Sequence, residues 1–228
     1  MVDCQAIFLL LLFLSMEITW YGQAAFKLKG KSATLFTDPY EATFTGLTPL
    51  KVEADIVTVS HSHADHNAFA VIETSPFIIN GPGEYDLKGV NVVGVSTFHD
   101  EKEGKLRGKN TIYNINIDDV QVTHLGDIGH PLTNQQLEEL GAVDVLLIPV
   151  GGVYTIEADS AAKIVAQIEP KIVIPMHYKI EGLKFPLESV SKFLKEMGKE
   201  ESQAQNKLVV TSEKLPEELL VVLLEKVR

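Results

Sequence analysis

Four side chains able to bind a metal ion fall within six residues at His61-Ser62-His63-Ala64-Asp65-His66, directly after an apolar β-type run at 56–60. Neutral imidazoles bind zinc-type cations at about 2.0–2.1 Å, and a carboxylate oxygen suits zinc, manganese or iron. In extended chain, residues two apart point the same way, so His61 and His63 are expected to meet one ion. A turn near Ala64 would then bring Asp65 and His66 to a second. The structural alternative, a polar loop whose histidines cap the next helix, explains a single imidazole better than four ligands at this spacing. Further candidates lie well downstream at His99, His124, Asp127, His130 and His177. Gly126 beside Asp127 allows the backbone to approach closely there.

Those residues need a rigid frame, and the pattern supplies one in two styles. Short β-type runs bounded by turn residues occupy 18–21, 25–28, 33–37, 56–60, 77–80, 90–98, 111–117 and 120–124. Asp118 and Asp119 are the turn of a hairpin joining the last two. His99, Asp127 and His177 therefore sit at or just after strand ends, where loops on a rigid scaffold carry function. After Asp127 helices and strands alternate. Thr133 with Gln136 is a capping box that opens a helix running to Leu140 and stopping at Gly141. A buried strand follows at 143–150, then a helix over 157–168 whose start Thr155 is expected to satisfy. A strand at 171–176 and a helix whose apolar stripe is Val190, Phe193, Leu194 and Met197 come next, before short runs at 208–211 and 219–224. Strands first and alternation later imply sheets covered by helices, an α/β or α+β layered domain.

Composition narrows the function. The 228 residues carry 31 acidic and 20 basic side chains, a formal charge of −11, with 45% hydrophobic and 22% charged residues. That profile excludes disorder, collagen and coiled coil. A chain of this length buries roughly 70% of its unfolded surface, so a metal here is functional rather than a structural staple. The acidic balance opposes nucleic acid and anionic membrane as partners. Cys4 is the sole cysteine, which excludes an intrachain disulfide and a multi-cysteine zinc site. The apolar run at 6–14 is shorter than the ~20 residues that span a bilayer, so no stable membrane insertion is expected. It follows Asp3 and no basic residue, and Met16 precedes the first strand. Residues 1–15 thus read as an upstream extension or mis-set start ahead of one cytoplasmic domain over 16–228, with an export signal and a packed or membrane-associated extension as the lesser alternatives. No feature of the pattern specifies an oligomeric state.

The order His61-x-His63-x-Asp65-His66, His99, Gly126-Asp127 and His177 resembles the metal motifs of the metallo-β-lactamase-fold hydrolase superfamily. Met16 to Gly22 is similar to that family's opening strand, and Thr37-Asp38-Pro39-Tyr40 to its strand-end aspartate. Gly126-Asp127-Ile128-Gly129-His130, Pro149-Val150-Gly151-Gly152 and Ile174-Pro175-Met176-His177-Tyr178 resemble its small single-domain branch, which includes ascorbate-phosphate lactonase-like proteins. The resemblance implies a four-layer αββα sandwich with the site at one edge between two sheets. It implies two divalent ions, zinc first and manganese or iron as alternatives. His61, His63 and His99 would hold the first, Asp65, His66 and His177 the second, and Asp127 would bridge them. His124 competes with His99, and the family's spacing favours His99. Asp38 would orient a ligand histidine, and His130 and Tyr178 would serve as proton donor or oxyanion contact beside the catalytic Asp65.

Such a pair generates hydroxide from a shared water near neutral pH, so no protein nucleophile is required. The implied reaction is hydrolysis of an ester-like bond in a small molecule: a lactone, phosphodiester or phosphorylated compound. The two ions with Asp65, Asp127 and the hydroxide keep one net positive charge, which favours an anionic or polarised substrate. β-Lactam hydrolysis is disfavoured by the bridging aspartate and the position of Cys4. Diiron chemistry is disfavoured by His63, where such members carry Glu. A nuclease and a non-catalytic metal-binding scaffold are the alternatives.

Overall fold

Pleating sorts the apolar residues of the N-terminal half onto two faces. The structure is a computed structural model that describes residues 15–199 and 203–227. In β1 (Met16–Gly22) alternate residues Met16, Ile18 and Trp20 are buried. β3 (Thr34–Thr37) places Leu35 in the large central core and Phe36 in a smaller core on the opposite face, and β4 (Ile56–Thr58) divides Ile56 and Val57 the same way. A sheet apolar on both faces must be covered on both. With β2 (Ala25–Lys29), β5 (Phe77–Ile79) and β12 (Leu208–Val210) these strands form one sheet of order β12-β1-β2-β3-β4-β5. Pairing is antiparallel from β12 to β3 and parallel from β3 to β5.

The second sheet has the order β13-β11-β10-β9-β8-β7-β6. Its first four strands in sequence, β6 (Gly83–Leu87), β7 (Val90–Phe98), β8 (Lys109–Ile117) and β9 (Val120–His124), run as an antiparallel meander. Then β9, β10 (Val145–Pro149), β11 (Ile172–Met176) and β13 (Leu220–Val221) pair in parallel. Every residue of β10 and β11 is buried, as expected of parallel strands covered on both faces.

Ile18 and Leu28 of one sheet share a core with Ile115 and Val122 of the other, so the sheets stack face to face. Helices α2 (Asn134–Leu140), α3 (Ala158–Ile168) and α4 (Val190–Glu196) cover the second sheet, with Ala161, Ile164 and Val165 of α3 turned inward. On the far side, among the described residues, the first sheet is covered by α1 (Ala42–Thr45), a 3-10 turn at Phe69–Val71 and loops carrying Tyr40, Leu50 and Val52. The architecture is the four-layer αββα sandwich, with one helical layer reduced to short pieces.

Most elements fall where periodicity and caps place them. Asp118 and Asp119 have φ of 51° and 61° and Ile117 pairs with Val120, giving the two-residue turn with both central residues left-handed. Thr133 and Gln136 form both halves of the capping box. Thr155 is a correction: α3 begins at Ala158 with Glu157 as its N-cap, and the buried Thr155 hydroxyl makes no hydrogen bond. The chain turns earlier, where Thr155 N–H reaches the Gly152 carbonyl at 3.4 Å, so its side chain never reaches the helix start. Strand β6 is absent from the sequence reading because its alternation, Tyr85 and Leu87 against Glu84 and Asp86, spans only four residues behind Gly81-Pro82-Gly83, and none of its five residues is fully buried. The extension reading concerns residues that, but for Ser15, lie outside the described ones. No helix among the described residues is long and apolar enough to cross a membrane.

Candidate metal centre

The candidate ligands converge because four strands end at the same edge of the sandwich. Behind β4, the Ser60 N–H bonds Asp38 Oδ1 at 2.7 Å, which ties the start of the histidine run to the end of β3. The chain then coils, with the N–H groups of His66 and Asn67 both donating to the His63 carbonyl at 2.9 and 3.0 Å. This turn brings His61 Nε2 within 3.0 Å of His63 Nδ1. Extended alternation, the basis on which these two were expected to meet, is absent here. His99 follows β7, Asp127 follows β9 and His177 follows β11.

Two glycines make the approach possible. A Cβ on Gly126, whose φ is 57°, would lie 2.3 Å from Asn110 Oδ1, and a Cβ on Gly151 would lie 2.1 Å from the His177 carbonyl oxygen. His177 itself has φ of 51°, a strained conformation for a bulky residue and one that concentrates at functional sites. Its N–H donates to the Gln23 carbonyl at 3.3 Å.

Asp127 lies at the centre. Its Oδ2 is 3.2 Å from His99 Nε2, 3.3 Å from both His66 Nε2 and His177 Nε2, and 3.9 Å from His61 Nε2. Around it the ligand atoms fall into two sets, each within 4.8 Å: His61, His63 and His99, and Asp65, His66 and His177. A third set, Asp38, His61 and His66, overlaps both. Asp38 Oδ2 is already engaged, accepting from Ser60 Oγ–H at 2.5 Å and bonding His66 Nδ1 at 2.7 Å. Ser60 Oγ also lies 2.9 Å from His61 Nδ1. With Ser60 donating to Asp38, its lone pair takes the His61 Nδ1–H. Both rings then turn Nε2 toward Asp127, the nitrogen that a metal ion would occupy in place of a proton.

The electrostatics call for cations. Asp38, Asp65 and Asp127 are all buried, and among the described residues none pairs with a lysine or arginine. Burying carboxylates without compensating charge is strongly unfavourable. Burial pushes the His61 imidazole down to about 3, which keeps it neutral and able to ligate. Burial would raise Asp127, yet His177 and His66 beside it hold its carboxyl well below the usual range. Burial would likewise depress His66, but Asp127 and Asp65 outweigh it and hold that ring well above its ordinary value. Both His66 Nε2 and Asp127 Oδ1 are buried without a hydrogen-bond partner. Divalent ions would satisfy these atoms and supply the missing positive charge.

Not every candidate joins the cluster. His124 Nε2 bonds the Ala24 carbonyl at 2.8 Å and its Nδ1 accepts from Gly126 N–H at 3.2 Å, so it shapes the glycine turn and offers no free nitrogen. His99 points at Asp127 instead. His130 is a correction of the same kind: Nε2 accepts from Phe98 N–H at 3.1 Å and Nδ1 lies 2.7 Å from the Pro131 carbonyl, leaving no ring nitrogen for proton transfer. Tyr178 also departs from its expected role, because its ring packs in the core with its centroid 5.1 Å from that of Trp20 and lies outside the cleft over the ligands.

Two buried amides were missed in the sequence. Gln23 donates to Asp65 Oδ2 at 3.3 Å from a left-handed turn between β1 and β2. Asn110 accepts the Asp127 N–H at 3.0 Å and donates to Thr97 Oγ1 and the Leu125 carbonyl. Neither belongs to a ligand motif, and Asn110 falls one residue ahead of the β-type run at 111–117, inside the strand only as the structure draws it. Above the ligands opens a cleft of about 560 Å³, walled by Phe44, Arg107, Tyr154 and Phe185.

The Beta-lactamase superfamily domain matches residues 17–177. A UPF0173 metal-dependent hydrolase of Thermococcus onnurineus is 32% identical over 194 residues, covering 71% of this chain and 84% of the relative. One from Archaeoglobus fulgidus is also 32% identical, over 205 residues, with 75% and 85% covered. A solved structure from Thermotoga maritima, assigned to the metallo-β-lactamase superfamily as a zinc-dependent hydrolase, is 38% identical with a TM-score of 0.74, covering 92% of this chain and all of that one. With its two stacked sheets, its histidine and aspartate cluster at their edge and these likenesses, the chain belongs to the metallo-β-lactamase superfamily, among its metal-dependent hydrolases.

Proposed function

We propose that this hydrolase cleaves an ester-like bond in a small molecule, a lactone, phosphodiester or phosphorylated compound, with two divalent ions at the site. The observation that carries the reading is Asp127 Oδ2, which faces His61 and His99 of one ligand set and His66 and His177 of the other within 3.2–3.9 Å. His61, His63 and His99 would hold one ion, Asp65, His66 and His177 the other, and Asp127 would sit between. An all His/Asp set accepts zinc, manganese and iron; zinc is our first assignment. When bound, such a pair supplies hydroxide from a shared water at neutral pH and stabilises charge developing on the attacked oxygen.

The chain's own residues do the rest. Asp38 and Ser60 fix the protonation of His66 and His61 so that their Nε2 atoms face inward. Gln23 and Asn110 fix Asp65 and the Asp127 loop. Asp65 lines the cleft with its Oδ2 3.4 Å from His66 Nε2, a position from which its carboxylate can relay the remaining proton of the added hydroxyl to the leaving oxygen. The test is elemental analysis of the purified protein together with a panel of esters, lactones and phosphodiesters assayed with and without chelator. Two ions per chain and chelator-sensitive turnover are expected. Full metal content without turnover on any member would make this a binding scaffold, and salt-sensitive RNA cleavage would make it a nuclease.

A further inference from the structure

The chain contains two arginines, Arg107 and Arg228, all its other basic residues being lysines. Arg107 stands at the mouth of the cleft that holds His63, Asp65 and His177. In a protein of charge −11 it forms no ion pair with any described carboxylate. Its Nη1 donates to the Tyr154 carbonyl at 2.5 Å and its Nη2 to the Val153 carbonyl at 2.9 Å, and its guanidinium centre lies 5.3 Å above the Tyr154 ring. A guanidinium has five N–H donors in a rigid fork suited to carboxylate and phosphate. Three of the five remain without a partner among the described residues.

The surroundings hold this side chain at the cleft. Asp100 takes the backbone N–H groups of Lys102, Gly104, Leu106 and Arg107 at 2.8–3.1 Å, so one buried carboxylate organises the whole loop that ends in the arginine. One of the two carbonyls that Arg107 grips belongs to Val153, a β-branched residue with φ of 60°, an outlier that persists only where the surroundings over-determine it. Across the cleft Phe185 lies 5.4 Å from Phe44 and 6.2 Å from Tyr154, centroid to centroid. Phe44 is 47% exposed, which is unfavourable for a phenyl ring unless something apolar covers it. An unpaired fork of donors beside three aromatic rings is complementary to a molecule with an oxyanion at one end and an apolar body.

We propose that Arg107, with Phe44, Tyr154 and Phe185, forms the substrate-recognition subsite of this cleft, selecting small molecules that carry a carboxylate or phosphate on an apolar body, set apart from the bond that is cut. The proposal rests on the hydrolase reading for the reaction but not for binding. The metal-reconstituted protein and its Arg107→Ala and Arg107→Lys variants are assayed on nitrophenyl esters of equal length that end in carboxylate, phosphate or methyl. Wild type is expected to prefer one of the anionic esters, which tells the two oxyanions apart. Arg107→Ala should raise KM for that ester by roughly 10- to 100-fold, the loss of a charge-assisted pair. Its kcat, its metal content and its turnover of the methyl-ended ester should stay within about threefold. Arg107→Lys, which keeps the charge but not the fork, should fall between.

Equal loss on all three esters would mean that Arg107 only ties two loops together, and no change would mean that it reads nothing; either overturns the proposal. If wild type cleaves none of the esters, the reaction assignment is what fails. The subsite is then decided by calorimetry with benzoate, phenyl phosphate and benzyl alcohol. Binding of one anion weakened at least tenfold in Arg107→Ala supports it, and anion binding equal in both proteins, or absent from wild type, overturns it.

Discussion

At the floor of the cleft each candidate ligand leaves a strand end or the turn just behind it, and buried partners hold His61, Asp65 and His66 from behind. At the rim Phe44 comes from the four-residue helix α1 and Arg107, Tyr154 and Phe185 from three loops, and all four are partly or largely exposed. The floor has a supporting layer, Asp38, Ser60, Gln23 and Asn110, each with a polar atom bonded to a candidate ligand. The rim has one such support, the Asp100 loop. Chemistry that needs sub-ångström placement is thus built on the sheets, whereas contacts that select a substrate are built on loops free to differ between relatives. Family membership follows from the floor, and substrate choice is left to the rim.

The sharpest way to break that contrast is to remove a floor ligand. His63→Ala and Asp65→Ala should lower bound metal and reduce hydrolysis by more than about 100-fold, beyond the effect of supporting residues, with circular dichroism unchanged. Unaltered metal content in both variants would refute their role. One layer out, Asp38→Asn keeps a left-handed position that asparagine tolerates but weakens the bonds to His66 and Ser60. Metal affinity measured by chelator competition should drop by about 10- to 100-fold. At the rim, Phe185→Ala should raise KM by about fivefold, roughly 1 kcal/mol of apolar contact, with metal content and kcat steady. A metal loss here would erase the distinction between the two layers.

The smallest effect belongs to a control remote from both. Lys88 hydrogen-bonds Asp55 and the Thr34 N–H adds a second bond, which together hold that carboxyl below its ordinary value. A depressed folded pKa stabilises above the unfolded value near 3.9, and that contribution disappears as pH falls through the lowered one. The pair is about a third or more exposed, so Asp55→Asn should cost only a few tenths of a kcal/mol at pH 7 by urea denaturation. The difference from wild type should shrink toward pH 3, with activity unaltered.

Legibility divides along the same line. Residues 61–66, the Thr133 capping box and the Asp118-Asp119 turn were readable because each is decided by neighbours a few positions away. The preference for His99 over His124 rests on family spacing; what only the structure shows is that His124 bonds the carbonyl of Ala24, one hundred residues upstream. His130 and Tyr178 sat beside ligands in the chain and face elsewhere in space. Gln23, Asn110 and Arg107 carry no motif at all.

Local spacing by itself determined the ligand types, the strand and helix grammar and hence the class of chemistry, since hydrogen bonding and pleat act over a few residues. Tertiary structure alone decided which imidazoles keep a nitrogen free, which amides brace the carboxylates and which cation guards the entrance. Each of those depends on a partner brought close by the order and stacking of strands.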